Sequence, residues 1–297
     1  MIALFGPTGV GKTEIAVELA DLLRARGQNP VAVSADAIAV YEGLDVLAAQ
    51  PATGRLEHRL VSCVPIEEEF SAGRFAELAH AEIDALLAEG ATPIVVGGTG
   101  LYLRAALTDL DLRPPVEREV REGLERELAE VGPAALHGRL SAETAAAVHP
   151  NDRKRIVRAL ELELAGTPPH AASEQLWSED LRRPAQLVGI TMDRELLNGR
   201  IETRVGEMLA NGAVEEVERA LERGASRTAR KALGFKEIAA HLAGDATLDD
   251  VRQRIERGHR AYVRRQLTWM RKLPGVDVID RTGLSARAVA ERIAAVA

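Results

Sequence analysis

The chain has 297 residues, 46% of them hydrophobic and 28% charged, with a formal net charge of −7. That length and balance fit a globular enzyme-sized core, with room for a smaller insertion, and exclude a low-complexity or disordered chain. The acidic total argues against wholesale coating of nucleic acid and leaves room for local cationic patches.

No apolar run approaches the roughly 20 residues of a membrane span. The chain opens directly on an apolar strand, so no signal peptide is expected. Cys63 is the only cysteine, which rules out an intrachain disulfide and suits a reducing, cytoplasmic setting. It reads as a small core residue rather than a nucleophile.

Ile2-Ala3-Leu4-Phe5 leads into Gly6-Pro7-Thr8-Gly9-Val10-Gly11-Lys12-Thr13, and a helical pattern follows from Glu14 to Leu23. This is a P-loop, G-x-x-x-x-G-K-T, in its required context of strand, glycine loop and helix start. Its glycines allow successive backbone N–H groups to point inward, and the helix start adds unpaired N–H groups and a positive dipole end. Lys12 brings a point charge and the Thr13 hydroxyl is a Mg²⁺ ligand candidate. The loop is built for a di- or triphosphate.

Pro30 to Ala35 reads as a second buried strand that ends in Asp36. A carboxylate at the C-terminal end of a parallel strand sits where doubly wound sheets bind ligands, although an Asx turn or a helix cap explains the same residue. Leu60 to Val64 reads as a short strand, and His58 before it as structural. Ser71 to Leu87 is helical and stops at Gly90. Pro93 to Val96 is a further strand running into Gly97-Gly98-Thr99-Gly100, a second glycine loop at the same end of the sheet.

Composition shifts after Leu112. Residues 113–185 read as an all-helical insertion, with a helix start at Ser141 and a turn and N-cap at His149-Pro150-Asn151-Asp152 ahead of the basic helix from Arg153. A strand resumes at Gln186. Arg194 to Asn211 is helical and carries Arg200 and Arg204 on one face. Lys231 to Lys236 is a basic turn. Leu248 to Arg271 is a long cationic helix, Val276 to Ile279 a last strand, and Ala286 to Val296 a closing helix. The fold expected is α/β: a P-loop NTPase-like parallel sheet over 1–112 and 186–297, helices on both faces, and the helical insertion between. On these residues alone a P-loop kinase remains open, with the insertion as its lid.

The motifs G-P-T-G-V-G-K-T, S-A-D-x-x-x-V-Y-x-G-L-D, V-G-G-T-G-L-Y-L, H-P-N-D-x-x-R-I-x-R-A-L-E, D-R-x-x-L-x-x-R-I-x-x-R-V and R-R-Q-L-T-W-M-R occur in that order between Gly6 and Arg271. Together they closely resemble the tRNA isopentenyltransferase (tRNA dimethylallyltransferase) family. The resemblance implies transfer of a dimethylallyl group from dimethylallyl diphosphate to N6 of the adenine 3′ to the tRNA anticodon. In that family the P-loop, here Gly6, Pro7, Thr8, Gly9, Val10, Gly11, Lys12 and Thr13, holds the donor diphosphate with Mg²⁺ on Thr13. Asp36 matches the general base, Thr99 the threonine at the catalytic centre, and Arg200 an arginine assigned to the diphosphate. The implied tRNA contacts are Asp36, Ala37, Ile38, Ala39, Thr99, Arg121, Asn151, Asp152, Arg153, Lys154, Arg155, Lys231 and Lys236, with Arg264 and Arg265 from the cationic helix. The partner implied is the tRNA anticodon stem-loop, and a monomer is expected. An isopentenyltransferase acting on free adenine nucleotides is the neighbouring alternative.

The chain departs from the family pattern near the substrate cleft. Serine and glutamine give way to Ala37 and Ala39, G-T-A-K becomes Leu47-Ala48-Ala49-Gln50, paired histidines become Glu57-His58, and G-Y becomes Gly234-Phe235.

Overall fold

The computed structural model describes residues 1–51, 54–113, 116–167 and 175–296. The proline pairs Pro114-Pro115 and Pro168-Pro169 lie outside the described residues. The chain divides into two compact units, one of Met1–Leu110 with Leu176–Ala297, the other of Asp111–Gln175.

The larger unit is built on six parallel strands: β1 (Ile2–Phe5), β2 (Pro30–Ala35), β3 (His58–Arg59), β4 (Thr92–Gly97), β5 (Gln186–Thr191) and β6 (Asp277–Asp280), in the order β3-β2-β4-β1-β5-β6. Every residue of β1 and β2 is buried, as a parallel sheet covered by helices on both faces requires. Register aligns the C-terminal ends: Phe5 lies beside both Gly97 and Gly189, Ala35 beside Gly97, and Thr191 beside Asp280. The loops that leave β1, β2, β4, β5 and β6 therefore open at one edge, where doubly wound sheets hold their ligands.

The helices of this unit are α1 (Lys12–Ala25), α2 (Asp45–Ala48), α3 (Ala72–Ala88) and α4 (Gly100–Leu107), and, after the insertion, α8 (Arg194–Ala210), α9 (Ala213–Glu222), α10 (Phe235–Leu242), α11 (Leu248–Met270) and α12 (Ala286–Ala294). Side-chain caps fix several starts. Ser71 accepts from Arg74 N, Asp193 from Glu195 N and Leu196 N, and Thr247 forms a capping box with Asp250. Gly212, at φ 94°, turns the chain left-handed between α8 and α9. No described helix is long and apolar enough to cross a membrane.

The expected strand at Leu60 to Val64 is corrected. Pairing with β2 occurs two residues earlier, at His58–Arg59, and the chain leaves the sheet because Leu60 (φ 58°) and Ser62 (φ 45°) adopt left-handed conformations. Only Val64 returns, as a single bridge to Tyr41. Cys63, expected in the core, is exposed.

The smaller unit packs α5 (Arg118–His137), α6 (Ala142–Ala147) and α7 (Arg153–Leu164) around Leu124, Leu128, Leu136, Leu140, Ile156, Val157 and Leu160. Gly132, at φ 81° and followed by Pro133, kinks α5. Ser141 caps α6 and Asp152 caps α7. The insertion ends sooner than the expected 185. Chain from Leu176 belongs to the larger unit, because Trp177 stacks on Trp269 at 4.8 Å, the Ser178 carbonyl accepts from Arg104, and Arg182 donates its backbone N–H to Leu107 O at 2.8 Å.

Candidate active site

The P-loop has the geometry its sequence calls for. Gly9 (φ 81°) and Gly11 (φ 87°) take conformations that a side chain resists, and Gly11 caps α1. Lys12 Nζ donates to the Gly6 and Pro7 carbonyls, each at 2.9 Å. Burial lowers the Lys12 pKa to about 8; Asp36 opposes the shift and Arg204 adds to it. Thr13 is exposed in the first turn of α1.

Asp36 follows β2 and makes an Asx turn: Oδ1 accepts from Ile38 N at 2.9 Å and Ala39 N at 3.3 Å. Both bonds fall on one oxygen, which leaves Oδ2 without a hydrogen bond among the described residues. The same carboxylate acts electrostatically on Lys12, Arg204 and Tyr262, so its turn leaves it available to the surrounding charged and phenolic groups.

The second glycine loop closes against the first. Thr99 Oγ1 accepts from Ala37 N at 3.4 Å and shares a hydrogen bond with Tyr262 Oη at 3.1 Å. Gln266, buried on α11, clamps the two loops. Its Oε1 accepts from Thr8 N at 2.9 Å and its Nε2 donates to Gly98 O at 2.8 Å. A Cβ at Gly98 would collide with that Nε2 and lie 3.4 Å from Lys12 Nζ, so glycine is needed here for close approach.

Helix α8 supplies two arginines. Arg200 lies beside Gly9 and pairs with Glu14 at 3.1 Å. Arg204, one turn on, carries a buried Nε without a hydrogen-bond partner; burial lowers its pKa against the pull of Asp36. His259 on α11 is 2% exposed, neither ring nitrogen is hydrogen-bonded, and burial followed by Arg204 holds its pKa at about 4. It is a neutral imidazole at pH 7. Burial pushes the Tyr262 phenol to about 12, with Asp36 adding to the rise. Arg281, directly after β6, donates to the Val10 carbonyl and pairs with Glu14 at 3.5 Å.

Of the residues singled out from sequence, the P-loop, Asp36, Ala37, Ile38, Ala39 and Thr99 come together at this edge, and Arg200 stands at the P-loop lip. Arg265 caps Tyr262 by a cation–π contact at 5.3 Å, with Arg264 exposed beside it. Lys231 and Lys236 are exposed around the start of α10. In the smaller unit Asn151, Lys154 and Arg155 are exposed, Asp152 caps α7, and Arg153 reaches the Leu128 carbonyl at 3.4 Å. Arg121 is turned onto Glu161 at 2.5 Å, a carboxylate 1% exposed that Arg158 also pairs at 3.1 Å.

Arg204, His259, Tyr262, Gln266 and Arg281 were not read from sequence as site residues. A signal existed for two of them. The buried stripe of α11 runs Val251, Ile255, His259, Val263, Gln266, Met270, so two polar groups interrupt an otherwise apolar face.

The chain matches the family model described as IPP transferase over residues 39–273. It belongs to the IPP transferase family. A tRNA dimethylallyltransferase of Anaeromyxobacter dehalogenans is 41% identical over 284 residues, covering 93% of this chain and 93% of that protein. One from Acetivibrio thermocellus is 37% identical, covering 95% and 91%. Among solved structures, a tRNA isopentenylpyrophosphate transferase of Bacillus halodurans superposes with a TM-score of 0.70 at 32% identity, over 99% of this chain and 95% of its own. The P-loop of this IPP transferase family member lies ahead of the matched span.

Proposed function

We propose that the chain is a tRNA dimethylallyltransferase. It transfers the dimethylallyl group of dimethylallyl diphosphate to N6 of the adenine 3′-adjacent to the tRNA anticodon and releases diphosphate. The observation that carries the reading is the convergence of a P-loop lysine, a carboxylate with one unengaged oxygen and a buried arginine, all within electrostatic reach of one another.

The donor diphosphate belongs in the loop, held by its backbone N–H groups, Lys12 and Arg200. Positive charge there stabilises the negative charge that grows on the leaving group as the C1–O bond breaks. The described residues hold no cluster of three His, Cys, Asp or Glu able to cage a metal. That suits Mg²⁺, which takes few protein ligands and completes its shell with water and phosphate oxygens. Thr13 would be its ligand from the chain, and the ion would neutralise diphosphate charge.

An exocyclic adenine amine is a poor nucleophile, so position and a base carry the acceptor side. As N6 bonds to the allylic carbon, Asp36 Oδ2 takes the N6 proton, while Oδ1 stays in its turn and keeps the carboxylate aimed. Thr99, braced by Tyr262, holds the target nucleotide. The base must leave the anticodon-loop stack to reach this edge, at a cost of a few kcal/mol. Phosphate contacts from the exposed cations of 111–175, from Lys231 and Lys236, and from Arg264 and Arg265 offset that cost. The enzyme acts as a monomer in the cytoplasm, where its tRNA substrate is found.

The test incubates the protein with labelled dimethylallyl diphosphate, Mg²⁺ and unmodified tRNA, with AMP and ADP in parallel. Label in tRNA alone is expected. Label in the nucleotides would reassign the acceptor, and ATP hydrolysis without prenyl transfer would return the chain to the kinase reading. In the same assay Asp36→Asn is expected to lower kcat by about a hundredfold or more with tRNA KM within twofold.

A further inference from the structure

Arg281 lies outside the residues matched by the family model, yet it sits behind the P-loop. It leaves the sheet directly after β6, where its backbone N–H still bonds Thr191 O at 3.0 Å. Its side chain is 5% exposed. Nη1 donates to the Val10 carbonyl, and Nη2 reaches Glu14 at 3.5 Å. Glu14 presents its other oxygen to Arg200 at 3.1 Å. Space for the guanidinium exists only because position 11 is glycine; a Cβ there would overlap Nη1.

Two physical needs meet at this contact. A loop that turns its N–H groups inward must turn carbonyls outward, and Val10 is wholly buried, so its carbonyl needs a buried donor. A guanidinium meets that need with a charge-assisted bond. Glu14, in the first turn of α1, also places negative charge near the helix start that would receive an anion. Arg281 and Arg200 together offset it.

We propose that Arg281 is a positioning residue for the donor site: it fixes the Val10–Gly11 backbone and neutralises Glu14, so that the P-loop is set to receive a diphosphate. The inference rests on the diphosphate lying in that loop. It concerns a residue that does not itself touch the reacting atoms.

The test is calorimetric titration of inorganic pyrophosphate, with Mg²⁺, into the full chain and into Arg281→Met. Steady-state KM values for dimethylallyl diphosphate and tRNA are measured alongside. Loss of a buried charge-assisted contact predicts pyrophosphate affinity and donor KM each worse by about tenfold, with tRNA KM within twofold. Arg281→Lys, which keeps the charge and one donor, is expected to recover part of the loss. Should Arg281→Met lack a cooperative melting transition, Arg281→Gln takes its place under the same thresholds. A folded variant that binds pyrophosphate as the wild type does overturns the inference alone, as does an equal rise in both KM values, which would mean general loosening. Wild-type protein that fails to bind pyrophosphate would remove the donor-site reading and the inference with it.

Discussion

Lys12 offers a sharp test because burial places its titration inside an accessible range. With a pKa of about 8, it is mostly charged at pH 7 and mostly neutral at pH 9. A bound diphosphate needs the charged form, so the apparent dissociation constant scales as one plus the ratio of neutral to charged lysine. Between pH 7 and pH 9 that factor is roughly tenfold. The donor's last phosphate proton leaves near pH ~6, so its own charge is constant across the window. His259 at about 4 and Tyr262 at about 12 lie outside it. The assay is calorimetric titration of dimethylallyl diphosphate at fixed Mg²⁺ from pH 7 to 9.5, with Lys12→Arg as control, because a guanidinium does not titrate there. Between pH 7 and pH 9 wild-type affinity should fall about tenfold, and that of Lys12→Arg should stay flat across the whole range. A flat wild-type profile, or the same slope in both proteins, would refute the argument that a buried Lys12 supplies the charge.

The same shift sets a stability profile. The folded state gives up the Lys12 proton at about 8, against 10.5 for an ordinary lysine, so over that interval the unfolded chain holds more protons and stability rises with pH. Wild type should therefore gain on Lys12→Met in chemical denaturation as pH rises from 8 to 10.5, and lose nothing below it. Gln266→Leu strands the Thr8 N–H; Gly98 O keeps only the longer bond from Tyr262, at 3.3 Å. One part-buried orphan donor and one weakened acceptor predict a loss of about 1–3 kcal/mol, and a denaturation midpoint unchanged from wild type would contradict the clamp. Replacing Arg264 and Arg265 with glutamine should weaken tRNA binding and flatten its salt dependence by about 2 in log–log slope, read by filter binding across salt; an unaltered slope would mean those side chains are only solvated.

Local order in the chain determined a large part of this protein. The glycine spacing of Gly6 to Thr13 dictates a phosphate loop wherever it follows a strand. Apolar runs at Ile2, Pro30, Pro93 and Gln186 become β1, β2, β4 and β5, and Ser141 and Asp152 start the helices expected of them. These signals are readable because each depends on residues a few positions apart. Asp36 was legible as an end-of-strand carboxylate, but sequence left its turn role and its site role as rivals. In the structure the two do not exclude each other, since one oxygen makes the turn while the carboxylate acts electrostatically on Lys12 and Arg204.

What tertiary structure alone decided depends on distant segments. Gln266 meets Thr8 across 258 positions and Arg281 meets Val10 across 271. No periodicity encodes such a pairing; it arises because parallel register brings every C-terminal strand end to one edge, where α11 then lies across two loops. Burial is decided there as well. Lys12 is an ordinary lysine in the sequence and becomes a group titrating near 8 only once the fold desolvates it and brings Arg204 of α8 near it.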